Sequence, residues 1–269
     1  MNEWKPLNGR ITVFPVVSSA LYSSTPSSSI VELYRRLWDG EPDGFQNQNN
    51  ALLPTVAHGK RNGLTAQLLS HPARIDLNLL PASDPDIGST SLVLIEDTNQ
   101  FHTELKHLIE VFSRGHVTDS ASRVAISVQF VNLQSSVVEA NKAVAKALPD
   151  PYRIKLTDEH DFVLQLNRPR PSRKVEGIGM NFLTKWSTER LQVMRMAISS
   201  GGVLISPAKG AQPDVQATEF PAASLSFDHN NAPDPSKPLK GGQQSSLLAE
   251  GLDAIESVQK EIGLNVKGF

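Results

Sequence analysis

Apolar residues recur at helical spacing in four stretches of the chain and alternate with polar ones in the runs between, so the sequence predicts a mixture of helices and strands. Ile30, Leu33, Tyr34, Leu37 and Trp38 fit i, i+3, i+4, i+7, i+8 and predict a first helix. Phe101, Leu105, Leu108, Ile109 and Phe112 predict a second, with Asp97 and Gln100 as a capping pair in front of it. Val137, Ala140, Val144 and Leu148 predict a third, stopped by Pro149 and Pro151. Leu248, Leu252, Ile255 and Ile262 predict a fourth, with Gly263 as its terminator.

The strand-like runs fall into two matching series. Residues 10–14 lead, through a serine-rich connection, to Ser28-Ser29-Ile30-Val31-Glu32; residues 123–127 lead to Ser135-Ser136-Val137-Val138-Glu139. Both serine motifs read as capping boxes, with Ser29 and Ser136 at the caps. Downstream, 64–69 and 74–80 flank a turn, as do 152–157 and 162–167 around Asp158-Glu159-His160-Asp161. A further strand then closes each series, at 91–99 and 224–231, before the last helix. The predicted order is β-α-β-β-β-α, twice. The fold class that follows is α+β, with a mostly antiparallel sheet and helices packed on one face. The division is 1–117 and 118–269, the second half carrying an extra β-rich insertion at 172–222. Within it, 191–198 alternates as a strand, and 203–205 after Gly201-Gly202 reads as its hairpin partner. Residues 39–50 and 232–244, rich in Pro, Gly, Asn, Gln and Lys, read as exposed loops or partly disordered segments.

Composition narrows the classes. The 269 residues are 39% hydrophobic and 20% charged, enough to bury a core without covalent staples. There is no cysteine, which excludes a disulfide scaffold, a thiol nucleophile and thiolate metal sites. Twenty-six basic residues stand against 28 acidic ones, so no global field favours nucleic acid or an anionic membrane. No apolar run approaches the ~18 residues of a membrane span, and the start lacks a signal-peptide layout. The expected location is cytoplasmic.

Sites with chemistry are few. His58, His71, His102, His107, His116, His160 and His229 fall in no metal-binding motif. Asp158-Glu159-His160-Asp161 could supply a carboxylate–imidazole pair, but it sits where a turn belongs. Asp97-Thr98-Asn99 and Asp228-His229-Asn230 occupy matching places, where Asp and Asn end strands and cap helices. Lys60-Arg61 reads as part of a turn within 58–63. The one dense basic cluster is Arg168, Arg170, Arg173 and Lys174. No phosphate loop or nucleophile elbow is present. No catalytic, metal or cofactor-binding residue is therefore assigned. The expectation is a non-catalytic interaction or assembly protein, a subunit of a larger complex or self-associating. Its candidate contact residues are the four cations and Trp186, supported by neighbouring apolar residues such as Met180, Phe182, Met194 and Met196. The alternatives are a hydrolase using an Asp/His pair, and a nucleic-acid binder using the basic loop.

Overall fold

The computed structural model describes residues 3–16, 27–46, 54–71, 73–82, 91–114, 117–156, 160–196, 215–234 and 236–262. Among these residues, eleven antiparallel strands and four α-helices make an α+β fold built on one open sheet. The first series runs β1 (Lys5–Pro15), α1 (Ser27–Trp38), β2 (Gly44–Gln46), β3 (Thr55–Arg61), β4 (Leu64–His71), β5 (Arg74–Pro81) and α2 (Thr98–Ser113). The second runs β6 (Ser120–Leu133), α3 (Val137–Ala147), a 3-10 turn (Asp150–Tyr152), β7 (Val163–Asn167), β8 (Arg170–Pro171), β9 (Gly179–Met196), β10 (Val215–Asn231), β11 (Leu239–Lys240) and α4 (Gly241–Glu261).

Strand order is β2-β3-β4-β5-β1-β6-β10-β9-β7, with β8 added to β9 and β11 to β6. The sheet is continuous across its centre, where β1 and β6 pair with Ile11 opposite Ile126. Outward from that pair, the neighbours read β1-β5-β4-β3 on one side and β6-β10-β9-β7 on the other. Each side thus meets its strands in the same chain order.

The helices cover one face because that face holds the alternate apolar side chains of each strand. Ile11 and Val13 of β1, Ile75 and Leu77 of β5, and Ile126 and Phe130 of β6 are all buried there. Helices α2 and α4 pack on each other over the centre, α1 covers β3 and β4, and α3 covers β9 and β10. The predicted helical stripes are the ones that sink: Tyr34, Leu37, Phe101, Leu108, Val144 and Ile255 are each 0% exposed. Gly251 lets α4 lie close to the sheet, since a Cβ there would sit 2.6 Å from the Ile126 side chain.

Several predicted elements differ. Residues 91–97 form no strand, because β1 already has both its neighbours. Ile95 is anchored to the end of β1, its N–H donating to Pro6 O (3.0 Å) just past the end of the β1–β5 ladder. Residues 153–156 are irregular after the 3-10 turn, and Tyr152 and Ile154 are exposed. Strand β3 was not foreseen, because it turns Ala57 and Gly59 inward and so has no large apolar period. The turn after it is only Asn62-Gly63, with φ of 48° and 77°, as a two-residue hairpin of type I′ requires. Lys60 and Arg61 therefore belong to a strand.

Within the β-rich insertion expected at 172–222, the described residues are mostly strand, and those strands belong to the main sheet. Strands β9 and β10 pair along their whole length, from Met180 opposite Asn231 to Met196 opposite Val215. The strand reading of 191–196 holds; 197–198 and the hairpin partner expected at 203–205 lie outside the described residues. Of the two expected loops, 39–50 contains β2, and 232–244 contains β11 and the start of α4. Ser136 caps α3, accepting the Glu139 N–H at 3.3 Å, while the Glu139 side chain turns to Lys142. Helix α1 begins at Ser27, so Ser29 lies within its first turn and is not its cap. Gly263 is outside the described residues.

Candidate functional site

The link between β7 and β9 differs from the one between β3 and β4. The latter is the two-residue turn; the former, 168–178, folds into a compact knot that carries the basic cluster. Arg168 N–H donates to Phe182 O (3.1 Å) and Ser172 N–H to Ile178 O (2.8 Å), which holds β8 along β9. Ser172 Oγ accepts the amides of Lys174 (3.1 Å) and Val175 (2.9 Å), closing the turn from inside.

Glu250 of α4 ties this knot to the helix layer. Only 3% exposed, its carboxylate accepts from Arg170 Nη1 (2.6 Å), Ser172 Oγ (2.6 Å) and the Arg173 amide (3.1 Å). Burial alone would raise this carboxyl; the Ser172 hydroxyl, the Arg173 amide and Arg170 outweigh it and hold it below the ordinary glutamate value. One turn on, Asp253 pairs with Lys174 at 2.6 Å. On the other side of the sheet a helix glutamate also meets a strand-to-strand turn. There the buried Glu104 of α2 accepts from Asn62 Nδ2 in the β3–β4 turn (2.7 Å).

Between the knot, α4 and the helix-bearing face of β9 and β10 lies a cavity of about 500 Å³. Its mouth carries all four cations, with Glu250, Asp253 and Glu261 along the helix wall. Arg170 and Lys174 are neutralised by their partners. Arg168 and Arg173 are exposed, and neither side chain has an ion pair among the described residues. The Arg170 guanidinium stacks 4.1 Å over the Phe182 ring, which in turn meets the His229 ring edge-on at 5.0 Å.

His229 forms part of the cavity wall and is 2% exposed. Its Nδ1–H donates to Gly251 O at 2.9 Å, which fixes the tautomer and leaves Nε2 as an acceptor. Nε2 is closed off from water and has no hydrogen-bond partner among the described residues. Burial lowers the pKa of this ring to about 4, against the smaller raising effects of the Gly251 carbonyl and Asp228. At neutral pH it is an uncharged base with an unused lone pair.

The structure thus brings together two features that the sequence held sixty residues apart, the basic cluster and His229. It separates others. Asp228 and His229 are adjacent on β10 and so point to opposite faces, where Asp228 accepts from Asn230 (2.8 Å); they cannot form an acid–base pair. His160 and Asp161 are exposed, with Asp161 facing Arg190 at 3.8 Å, while Asp158 and Glu159 lie outside the described residues. Asp97 caps α2 through the Gln100 amide. Lys60 and Arg61 sit near the opposite end of the sheet from β8, Arg61 donating to Glu41 O (2.8 Å), so the basic elements do not form one patch. Trp186 is apart from the cations too: it is 2% exposed, its indole N–H donates to Ala147 O (3.0 Å), and it belongs to the core. Met180 and Phe182 are buried as well. The partners that order the cations, Glu250 and Asp253, were not singled out from sequence. Their signal is an acidic spacing on α4, with Glu261 on the same stripe.

Among the described residues, no helix is long and apolar enough to cross a membrane, and no group of three acidic or histidine side chains could hold a metal ion. Comparison with protein families, with curated proteins and with solved structures finds no match to this chain.

Proposed function

We propose that this chain is a non-catalytic interaction protein, an assembly subunit that grips an acidic segment of a protein partner at the mouth of the basic cavity. The observation that carries the reading is the pair Arg168 and Arg173, exposed beside a cavity and without an ion pair among the described residues, on a segment whose backbone is already fixed by Glu250. A preformed site loses little conformational entropy on binding. Guanidinium groups also suit carboxylates, which they can bind through two parallel hydrogen bonds. The chemistry on the wall does not suit a hydrolase, since the single histidine has no carboxylate to orient it and its outer nitrogen is sheltered.

We also propose that 1–117 and 118–269 arose by duplication of a β-α-β-β-β-α unit. Support comes from the equal neighbour order on the two sides and from the paired buried glutamates, Glu104 and Glu250. On this view the element special to the second half is the knot at 168–178, and a function peculiar to that half belongs there.

The test is fluorescence anisotropy with a glutamate-rich peptide and, in parallel, oligothymidylate of equal net charge. The peptide should bind, more weakly as salt rises, and Arg168→Glu with Arg173→Glu should abolish binding while the fold is kept. Preferential binding of the oligonucleotide, or peptide binding unchanged in the double variant, would refute the reading.

A further inference from the structure

We infer that a second copy of this chain adds to the outer edge of β7, so that two sheets join strand to strand across a two-fold axis. Strand β7 ends the strand order, and among the described residues no strand pairs with its outer edge. Phe162 O accepts the Thr188 N–H (2.9 Å) and the Arg168 N–H donates to Phe182 O (3.1 Å), so the even-numbered positions turn their peptide groups inward to β9. The N–H and C=O of Val163, Gln165 and Asn167 therefore point outward, and no described strand receives them. An edge of this kind is a template for another strand.

The side chains say which strand fits. Edges that must stay alone carry a charge, a proline or a bulge. Val163-Leu164-Gln165-Leu166-Asn167 has no charge and no proline, and its register with β9 is unbroken. Val163 is 60% exposed, more than any other large hydrophobic side chain described. Leu164 and Leu166 lie on the helix-bearing face against the core, yet are only half-buried. A two-fold axis sets each residue near it against its own copy, so a charge there would repel itself. The central Gln165 instead carries an amide, which both donates and accepts and so pairs with itself. Antiparallel pairing centred on Gln165 sets Val163 of one copy opposite Asn167 of the other and makes about six backbone hydrogen bonds, two for each outward pair. It also sets Leu164 against Leu166, carrying the apolar layer beneath the helices across the junction. Asp161 precedes the strand and Arg168 follows it, so antiparallel pairing brings opposite signs together at both ends. A uniformly acidic or basic segment would lose at one end what it gained at the other.

The experiment is sedimentation equilibrium of the full chain at neutral pH, over a concentration series reaching about 0.1 mM. The wild type should pass from monomer to dimer and stop there. Gln165→Pro removes an outward N–H that β9 does not use, so the fold is kept, and it should weaken the dimer at least about tenfold. Gln165→Lys and Gln165→Glu should each be monomeric alone and form a mixed dimer when combined, because the axis sets the two side chains against each other. Hydrogen exchange gives the local readout: the Val163, Gln165 and Asn167 amides should gain protection with concentration, while those of Leu164 and Leu166 do not change. A wild type that stays monomeric over the whole series overturns the inference, as does a dimer that survives Gln165→Pro or a Lys and Glu mixture that does not associate. Assembly that grows past two copies also overturns it, since β7 joined to the β2 edge of the next copy runs head to tail and does not close. If Gln165→Pro does not fold, the Lys and Glu variants still decide.

Discussion

Replacing Glu250 by alanine removes the acceptor on which the 168–178 knot is organised. Three donors lose their partner: the Arg170 guanidinium, the Ser172 hydroxyl and the Arg173 amide. They do not count equally. Arg170 is 30% exposed and can turn to water, so its ion pair contributes at most about 1 kcal/mol. Ser172 and Arg173 hold charge-assisted bonds to a buried carboxylate, each worth roughly 1.5 kcal/mol. Relief of the carboxylate's own desolvation takes some of this back, so the expected loss is about 2–3 kcal/mol, with roughly half that for Glu250→Gln. Urea denaturation at neutral pH measures it, and the midpoint should fall with little change in slope. Hydrogen exchange gives the local readout: the Arg173 and Val175 amides should lose protection while those of β6 keep theirs. The pH dependence has a fixed sign. The folded-state carboxyl lies below its ordinary value of 4.5, so its contribution is complete above that pH and is lost as pH falls through the folded value. Wild type and Glu250→Ala should therefore converge in acid. A midpoint shift below about 0.5 kcal/mol at neutral pH, or curves that stay apart in acid, would refute this account of the knot.

Three further outcomes follow from the same structure. His229 and His102 both have pKa values lowered from 6.5 to about 4, chiefly by burial, so each is neutral when folded and takes up a proton on unfolding. Stability should fall as pH drops from 6.5 to about 4, by roughly 1.4 kcal/mol per pH unit for each histidine, and His229→Gln should halve that slope; a flat profile over this window would contradict it. Ser136→Ala should cost roughly 0.5–2 kcal/mol by denaturation, because the α3 cap is lost, without affecting peptide binding. Trp186→Ala should cost about 3–5 kcal/mol, since the residue is buried and its indole bonds to α3; an unchanged midpoint would place it at the surface instead.

The helices were legible because their apolar stripes obey one period, and every one of Phe101, Leu105, Leu108, Ile109 and Phe112 is buried. Strands that bury large side chains, such as β1 and β6, were legible for the same reason. Strand β3 was not, because under α1 there is room only for Ala57 and Gly59: a Cβ on Gly59 would lie 2.6 Å from the Tyr34 hydroxyl oxygen. Residues 91–97 read as a strand because alternation describes a half-buried chain without saying whether a sheet edge is free to receive it. The basic cluster was visible as composition. What it could not show is that Glu250, far along the chain on α4, neutralises Arg170 and leaves Arg168 and Arg173 outward, or that His229 lies alongside. Those facts depend on which helix face meets which strand, and local patterning does not encode that.

The measurement closest to the central claim is a titration of the isotopically labelled chain with a glutamate-rich peptide, followed by ¹H–¹⁵N correlation spectra. The account predicts progressive shifts of the Arg168, Arg173, Lys174 and Val175 amides and of the Asp253 and Ser257 amides on the facing side of α4. The opposite face of the sheet has a polar groove of its own, about 410 Å³ and lined by Arg10, Gln129 and Lys185, and resonances there should stay in place. Shifts confined to that opposite face, with the knot and α4 unmoved, would contradict it.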